Sequence, residues 1–311
     1  MYFCINWKNC EQIMPKPYDK VTHETKPGWL KIKLHNKAEY ADVARIVERH
    51  NLHTICDSGR CPNKAECWSR KTATFMILGE ICTRSCKFCA TQTGKPLPPD
   101  RGEPSKVADS INKMGLKHAV ITSVTRDDLE DGGAFVWAEV IREVRRVNPD
   151  TTIEVLIPDM WGRKDLLDVI LEARPDIVGH NLETVERLTP MVRSRAKYST
   201  SLETLRYIAS RGAVAKSGLM LGLGEDDEEV MAALDDLADA GCSIVTMGQY
   251  LQPTLGHLPV HEYLTPGKFA WFGDIARFRG FSYVASAPMV RSSYLAEEAL
   301  KEVTAPGKTV Q

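Results

Sequence analysis

Residues 72–91 read TATFMILGEICTRSCKFCAT, and the boundary inside this stretch decides the fold. Thr72 to Leu78 is a short β-branched, aromatic and aliphatic run closed by Gly79, which predicts a buried strand rather than a helix. Gly79 to Thr91 is a loop carrying Cys82, Cys86 and Cys89. Reactive groups in a loop that leaves a strand match the carboxyl-end active sites of parallel sheets and barrels.

The same unit recurs along the chain. Further strands are predicted at Ala119 to Val124, Thr152 to Ile157, Asp176 to Gly179, Ala215 to Leu221, Ser243 to Met247 and Phe281 to Ser286. Between them, Ser105 to Met114, Ala134 to Val147, Asp165 to Ala173 and Asp227 to Ala240 space their apolar residues three and four apart, as helices do. Gly115, Pro149, Pro175 and Gly241 stop them. Six to seven such βα units are too few for a complete eight-fold barrel. They predict an α/β fold, a partial (β/α)6-type TIM barrel of parallel strands with N- and C-terminal extensions, and a doubly wound open sheet is the competing layout. The expected segments are 1–70, an extension without βα rhythm; 71–290, the barrel; and 291–311, a tail that opens on Arg291-Ser-Ser-Tyr294 and continues as a short helix.

Composition removes several function classes. Forty basic against 41 acidic residues leave a formal charge of -1, so no overall field draws the chain to nucleic acid or an anionic membrane. No apolar run approaches the roughly 20 residues of a membrane span, and the opening residues do not read as a secretory signal. The expected location is the cytoplasm. There, nine cysteines point to metal binding or catalysis rather than disulfides, and six of them fall between Cys56 and Cys89.

Cys82-Thr-Arg-Ser-Cys86-Lys-Phe-Cys89 offers three thiolates, enough for three irons of a 4Fe-4S cubane with the fourth iron open. A structural zinc site wants four ligands, commonly as paired C-x2-C knuckles, and this spacing supplies neither. A second triplet, Cys56, Cys61 and Cys67, has C-x4-C-x5-C spacing. By itself it also suits a zinc site completed by His50 or His53, or three inert buried thiols.

The C-x3-C-x2-C spacing, with Phe88 before its last cysteine, resembles the signature of the radical S-adenosylmethionine superfamily. Both triplets together, within CPNKAECW and TATFMILGEICTRSCKFC and followed by VITSVTRDDLEDGGA, HNLETV, KSGLMLGLGE, GQYLQPT and VRSSY, resemble the lipoyl synthase family from about residue 27 to 295. The resemblance implies two 4Fe-4S clusters. Cys82, Cys86 and Cys89 would hold the one whose open iron chelates S-adenosylmethionine, the source of a deoxyadenosyl radical. Cys56, Cys61 and Cys67, with Ser293 taken over its neighbour Ser292, would hold an auxiliary cluster that serves as the sulfur source. The implied reaction inserts two sulfurs, at carbons six and eight of an octanoyl group on a carrier lysine, and uses two S-adenosylmethionines per lipoyl group. The implied partners are octanoylated lipoyl carrier domains, such as 2-oxoacid dehydrogenase E2 subunits and the glycine cleavage H protein, and an electron donor such as ferredoxin or flavodoxin.

Glu154 and Asn181, near strand ends, are candidates to hydrogen-bond ribose, and Phe88 joins them as a cofactor-binding residue. Gly222, Gly224 and Glu225 lack the lysine and spacing of a phosphate loop and read either as a close approach to the cofactor or as an ordinary turn. Asp127 and Asp128 are an unassigned carboxylate pair, either of which suits a helix cap. Trp161, Tyr250 and His257 read as packing or channel residues. The Arg193-Ser-Arg195 run imitates the tail motif without its serine pair, and Cys4, Cys10 and Cys242 receive no role. By composition alone, a serine of Arg291-Ser-Ser-Tyr294 caps the following helix. Two rivals stand beside the main reading: another radical sulfur-inserting enzyme, and a two-cluster electron carrier, which would not cleave S-adenosylmethionine.

Overall fold

The computed structural model describes residues 26–30, 37–50, 52–70, 73–293 and 296–303; Cys4, Cys10, Thr72 and Tyr294 lie outside them. Its strands are β1 (His53–Thr54), β2 (Thr74–Ile77), β3 (His118–Ser123), β4 (Thr152–Leu156), β5 (Ile177–Gly179), β6 (Val214–Leu221), β7 (Ile244–Gln249) and β8 (Tyr283–Ser286). Each strand expected from the sequence is present with ends shifted by at most two residues. The exception in the other direction is β1, two residues long and too short to carry a pattern.

The strands form a single sheet ordered β1 to β8 as in the chain. β1 lies antiparallel to β2, and every later neighbour pair is parallel. Sequential order rules out the doubly wound layout, in which strand order reverses at a switch point. The sheet does not close, because β1 and β8 are its unpaired ends. Ahead of the barrel stand α1 (Lys37–Arg49) and the short α2 (Ile55–Ser58) and α3 (Lys64–Ser69); β2 to β7 are each followed by a helix, α4 (Glu103–Met114), α5 (Ala134–Val147), α6 (Lys164–Leu171), the short α7 (Thr189–Val192) with α8 (Tyr198–Ser210), α9 (Asp227–Asp239) and α10 (Pro266–Phe278). This is the partial TIM barrel the βα rhythm predicts.

Side-chain alternation explains why the barrel has a usable interior. On β3, β4 and β7, Ile121, Ile153, Val155, Val245 and Met247 point outward into the core beneath the helices. Their alternates Thr122, Glu154, Leu156, Thr246 and Gly248 line an internal cavity. Burying the outward set drives sheet and helices together, while small and polar residues inside leave space. The helices carry matching stripes, such as Val107, Ala108, Ile111 and Met114 on α4. Gly115 ends α4 in the left-handed conformation at φ 64°. A capping box between Asp226 and Glu229 starts α9.

The C-terminal helix α11 (Ala296–Val303) packs Ala299 against Ile177 and Ile244, the first residues of β5 and β7, beside Val214 and Tyr283. It therefore covers the amino ends of the strands. The cavity opens at the other end, where the βα loops gather.

Candidate active site

The cavity encloses about 850 Å3, and residues from both sequence extensions join the barrel loops in lining it. Cys56 and Cys61 face it from one side, and Cys82, Cys86, Phe88 and Cys89 from the loop after β2. Arg291, Ser292 and Ser293 complete the wall. Cys67 sits half-buried on α3, packed against the core. The N-terminal segment is tied to the loops after β8 and β7: Asn63 Nδ2 donates to Met289 O at 2.7 Å, and Arg60 reaches Pro253 O.

The loop of Cys82, Cys86 and Cys89 is fastened at several points. Cys82 N–H donates to Gln92 O, Thr83 N–H to Thr125 O, Lys87 N–H to Val192 O, and Leu258 N–H to Lys87 O. His257, read from the sequence as a packing or channel residue, lies with Nε2 at 3.0 Å from the Cys89 carbonyl and holds it. The Arg193-Ser-Arg195 run has a local task as well: Ser194 Oγ accepts from Ser85 N–H at 3.1 Å and lies 4.0 Å from Cys86 Sγ.

The donor set fits iron-sulfur ligation. Two backbone N–H groups, of Arg84 and Thr125, converge on Cys82 Sγ at 3.4 Å each. That arrangement stabilises sulfur carrying negative charge. Burial pushes the Cys89 thiol up, and its neighbours Cys86 and Cys82 add to the rise, so the three thiols share one small region. Burial raises Cys56 and Cys61 too, while the nearby Arg291 guanidinium works in the opposite direction on Cys61. Arg291 is half-buried, and its guanidinium donates to two carbonyls, Val290 O at 2.6 Å and Pro288 O at 3.4 Å. A cation placed so favours an anionic thiolate beside it. Cys242, by contrast, is simply buried, its thiol pushed up to about 12, and takes no part in the cavity.

Close packing holds the tail in place. A Cβ on Gly248 would stand 2.0 Å from Val290 O. Gly248→Ala must therefore displace the segment bearing Arg291 to Ser293, at a cost of about 3 kcal/mol, the upper end of ordinary overpacking. Urea unfolding of the cluster-free variant measures it, and an unchanged midpoint would contradict the packing described.

The ribose candidates separate. Asn181 faces the cavity and donates through Nδ2 to Ser292 Oγ at 2.7 Å, with room made by Gly218, whose Cβ would lie 3.0 Å from Asn181 Oδ1. Glu154 stands at the cavity floor, where Oε1 accepts from Lys216 Nζ at 2.6 Å and Oε2 lies 3.5 Å from His118 Nε2. Its carboxylate is committed to the barrel's own cation. Glu183, overlooked in the sequence, lines the cavity beside Asn181. Its backbone is left-handed at φ 71°, an unfavourable state for a non-glycine residue. Burial raises its pKa.

The contacts decide between several other readings. Glu225 accepts from the N–H groups of Gly222 and Leu223, closing GLGED on itself as a turn. Neither Asp127 nor Asp128 caps the next helix. Asp127 pairs with Arg84 and Asp128 with Arg126, and Asp131 accepts from Gly133 and Phe135 N–H instead. Ser292 is bonded to Asn181 rather than serving as a cap. Trp161 is partly exposed, and the Tyr250 hydroxyl donates to Leu258 O.

Below the Cys86 loop, His180 bonds Ile157 O and Ser201 Oγ, and Arg193 donates to the same Ser201 Oγ. Burial, aided by the Arg193 charge, lowers His180 to about 4. A histidine kept neutral in the fold but protonated when unfolded stabilises the fold above pH 6.5. That stability is lost as pH falls from 6.5 toward 4. The expected loss is about 3 kcal/mol across that window. Urea midpoints of cluster-free His180→Gln should lack this component, and identical pH profiles in both proteins would contradict it.

No helix among the described residues is long and apolar enough to cross a membrane. The profile of the Radical SAM superfamily matches residues 76–237. Among solved structures, methylornithine synthase is similar with a TM-score of 0.54 at 13% identity, covering 80% of this chain and 72% of that one. Streptococcus suis SuiB bound to S-adenosylmethionine is similar with a TM-score of 0.55 at 9% identity, covering 72% and 54%. These two share the fold. Lipoyl synthase of Phocaeicola vulgatus is 57% identical over 281 residues, 90% of this chain and 99% of that protein. Lipoyl synthase of Bacteroides fragilis is 59% identical over 276 residues, 89% and 96%, and that of Flavobacterium johnsoniae is 54% identical over 274 residues, 88% and 95%. With a barrel of the right type, a thiol-bearing loop at its carboxyl end and this identity across nearly the whole length, the chain belongs to the lipoyl synthase family of the radical S-adenosylmethionine superfamily.

Proposed function

We propose that the lipoyl synthase reaction of this chain runs in the cavity described, with Cys82, Cys86 and Cys89 holding the cluster that binds S-adenosylmethionine and Cys56, Cys61 and Cys67 holding the auxiliary cluster. The observation that carries the reading is convergence: thiols separated in sequence, and the serines of the tail, line one cavity. When bound, the clusters and S-adenosylmethionine supply the radical that removes hydrogen from carbons six and eight and the two sulfur atoms that replace it.

The chain's residues do the rest. Phe88, Val120, Leu156 and Leu219 give the cavity apolar walls that suit an alkyl chain and exclude water. Asn181 and Glu183 present polar groups for the cofactor's hydroxyls. Ser293 is the fourth ligand of the auxiliary cluster, since Ser292 is already bonded to Asn181. The segments 1–70, 71–290 and 291–311 then act as auxiliary-cluster extension, radical barrel and tail. The substrates are octanoylated carrier domains, of 2-oxoacid dehydrogenase E2 subunits or the glycine cleavage H protein, and a ferredoxin or flavodoxin reduces the enzyme in the cytoplasm.

Anaerobic reconstitution tests the ligand assignment. Wild type should take up iron and sulfide for two clusters, and a Cys82/Cys86/Cys89→Ala variant for one, without S-adenosylmethionine cleavage. Ser293→Ala should change the auxiliary cluster's Mössbauer spectrum and Ser292→Ala should not. The reverse result would move the ligand to Ser292, and cleavage by the triple variant would overturn the assignment.

A further inference from the structure

Arg84 lies between the first two cysteines of the loop, yet its side chain turns away from them and is buried among carboxylates. Nε and Nη2 donate to Asp127 Oδ2 and Oδ1 at 2.9 and 2.8 Å, and Nη1 and Nη2 donate to Asp159 Oδ2 and Oδ1 at 2.8 and 2.9 Å. The three side chains are 7%, 7% and 4% exposed. Asp127 follows β3 and Asp159 follows β4, so one guanidinium joins three consecutive βα loops. We infer that Arg84, Asp127 and Asp159 form a positioning device that fixes the cysteine loop and sets the charge beside its cluster. The inference rests on the reading that Cys82, Cys86 and Cys89 hold a cluster.

Three observations support it. First, the loops are tied again at the same place: Asp127 N–H donates to Thr83 Oγ1, and Thr83 Oγ1 donates to Thr125 O, both at 2.9 Å. Thr125 N–H is one of the two donors aimed at Cys82 Sγ. The position of the Asp127 loop thus governs a hydrogen bond to a cluster ligand. Second, the chain accepts strain to present Asp159. Met160 and Trp161 adopt left-handed conformations at φ 43° and 53°, and Asp159 Oδ1 accepts from Trp161 N–H at 3.1 Å. Third, two buried carboxylates share one buried guanidinium; buried Arg193 acts on Asp159 only through space, its own donors going to Leu182 O and Ser201 Oγ, and Arg195, 67% exposed, lies 3.7 Å from Asp127. The triad leaves an excess negative charge where solvent screens little, which opposes adding an electron to a nearby cluster. Only arginine supplies two planar forks, so lysine keeps the charge but not the geometry.

The test is potentiometric titration followed by electron paramagnetic resonance, in a Cys56→Ala/Cys61→Ala background that leaves one cluster to observe. Asp159→Asn is expected to raise the midpoint potential and Arg84→Gln to lower it, with the double variant between them. Arg84→Lys is expected to keep the potential near that of the parent but to lose iron to a chelator several-fold faster. A purely structural contact predicts no such opposition of sign. Single variants that shift in the same direction, or intact clusters with unchanged potentials and chelation rates, overturn the inference. Should Arg84→Gln fail to fold, Asp127→Asn and Asp159→Asn carry the test: both must raise the potential, and no change refutes it. A parent protein that assembles no cluster at all would sink the underlying reading and this inference together, whereas unresponsive clusters sink this inference alone.

Discussion

Cys61→Ala is expected to abolish sulfur insertion while S-adenosylmethionine cleavage continues within a few-fold of wild type. The two functions separate because the two sets of thiols are anchored separately. The radical loop is held by Gln92, Thr125, Val192, Leu258 and His257. Cys61 is held at the other side, where its N–H donates to Cys56 O, and the Arg291 guanidinium lies close to its sulfur. Removing one half-buried sulfur costs on the order of 1 kcal/mol of stability, so the variant remains folded. The readout is deoxyadenosine formed against sulfur gained by an octanoyl-lysine peptide. Sulfur insertion by Cys61→Ala would contradict the auxiliary assignment, and loss of both activities in a folded, cluster-bearing variant would contradict their separation.

The second large effect lies at the barrel floor. Lys216→Ala strands the Glu154 carboxylate at 2% exposure, with His118 Nε2 at 3.5 Å as the remaining near group. Breaking a buried ion pair from one side costs about 3 to 5 kcal/mol, because an uncompensated charge stays inside. Although burial itself works against the charged carboxylate, Lys216 and His118 outweigh it and hold Glu154 below its ordinary pKa. Urea unfolding of the cluster-free protein measures the loss. Combining Lys216→Met with Glu154→Gln should recover much of it, since a neutral pair leaves no buried charge. A Lys216→Ala midpoint within about 1 kcal/mol of wild type would show that the pair contributes little.

Glu154 also marks where sequence reading ran out. The strands were legible because each is a short run of β-branched and aliphatic residues between breakers, and hydrophobic burial then fixes their place. The cysteine loops were legible because ligand spacing is local. The partner of Glu154 is 62 residues away, on a strand two places along the sheet, and only barrel curvature brings Lys216 to it. Arg84 with Asp127 and Asp159 fails to show for the same reason, its partners being 43 and 75 residues distant. Glu183 depends on a left-handed backbone that no composition signal announces. Sequence left GLGED open between a close approach to the cofactor and an ordinary turn, and the bonds from Gly222 and Leu223 N–H to Glu225 that make it a turn are not announced by its glycines.

The most direct measurement is mass spectrometry of an octanoyl-lysine peptide after anaerobic reaction with the reconstituted enzyme, reductant and S-adenosylmethionine. The account predicts a gain of two sulfurs in wild type, with deoxyadenosine formed alongside, and no sulfur gain in Cys61→Ala. Deoxyadenosine without sulfur gain, in wild type and across several octanoylated carriers, would contradict it.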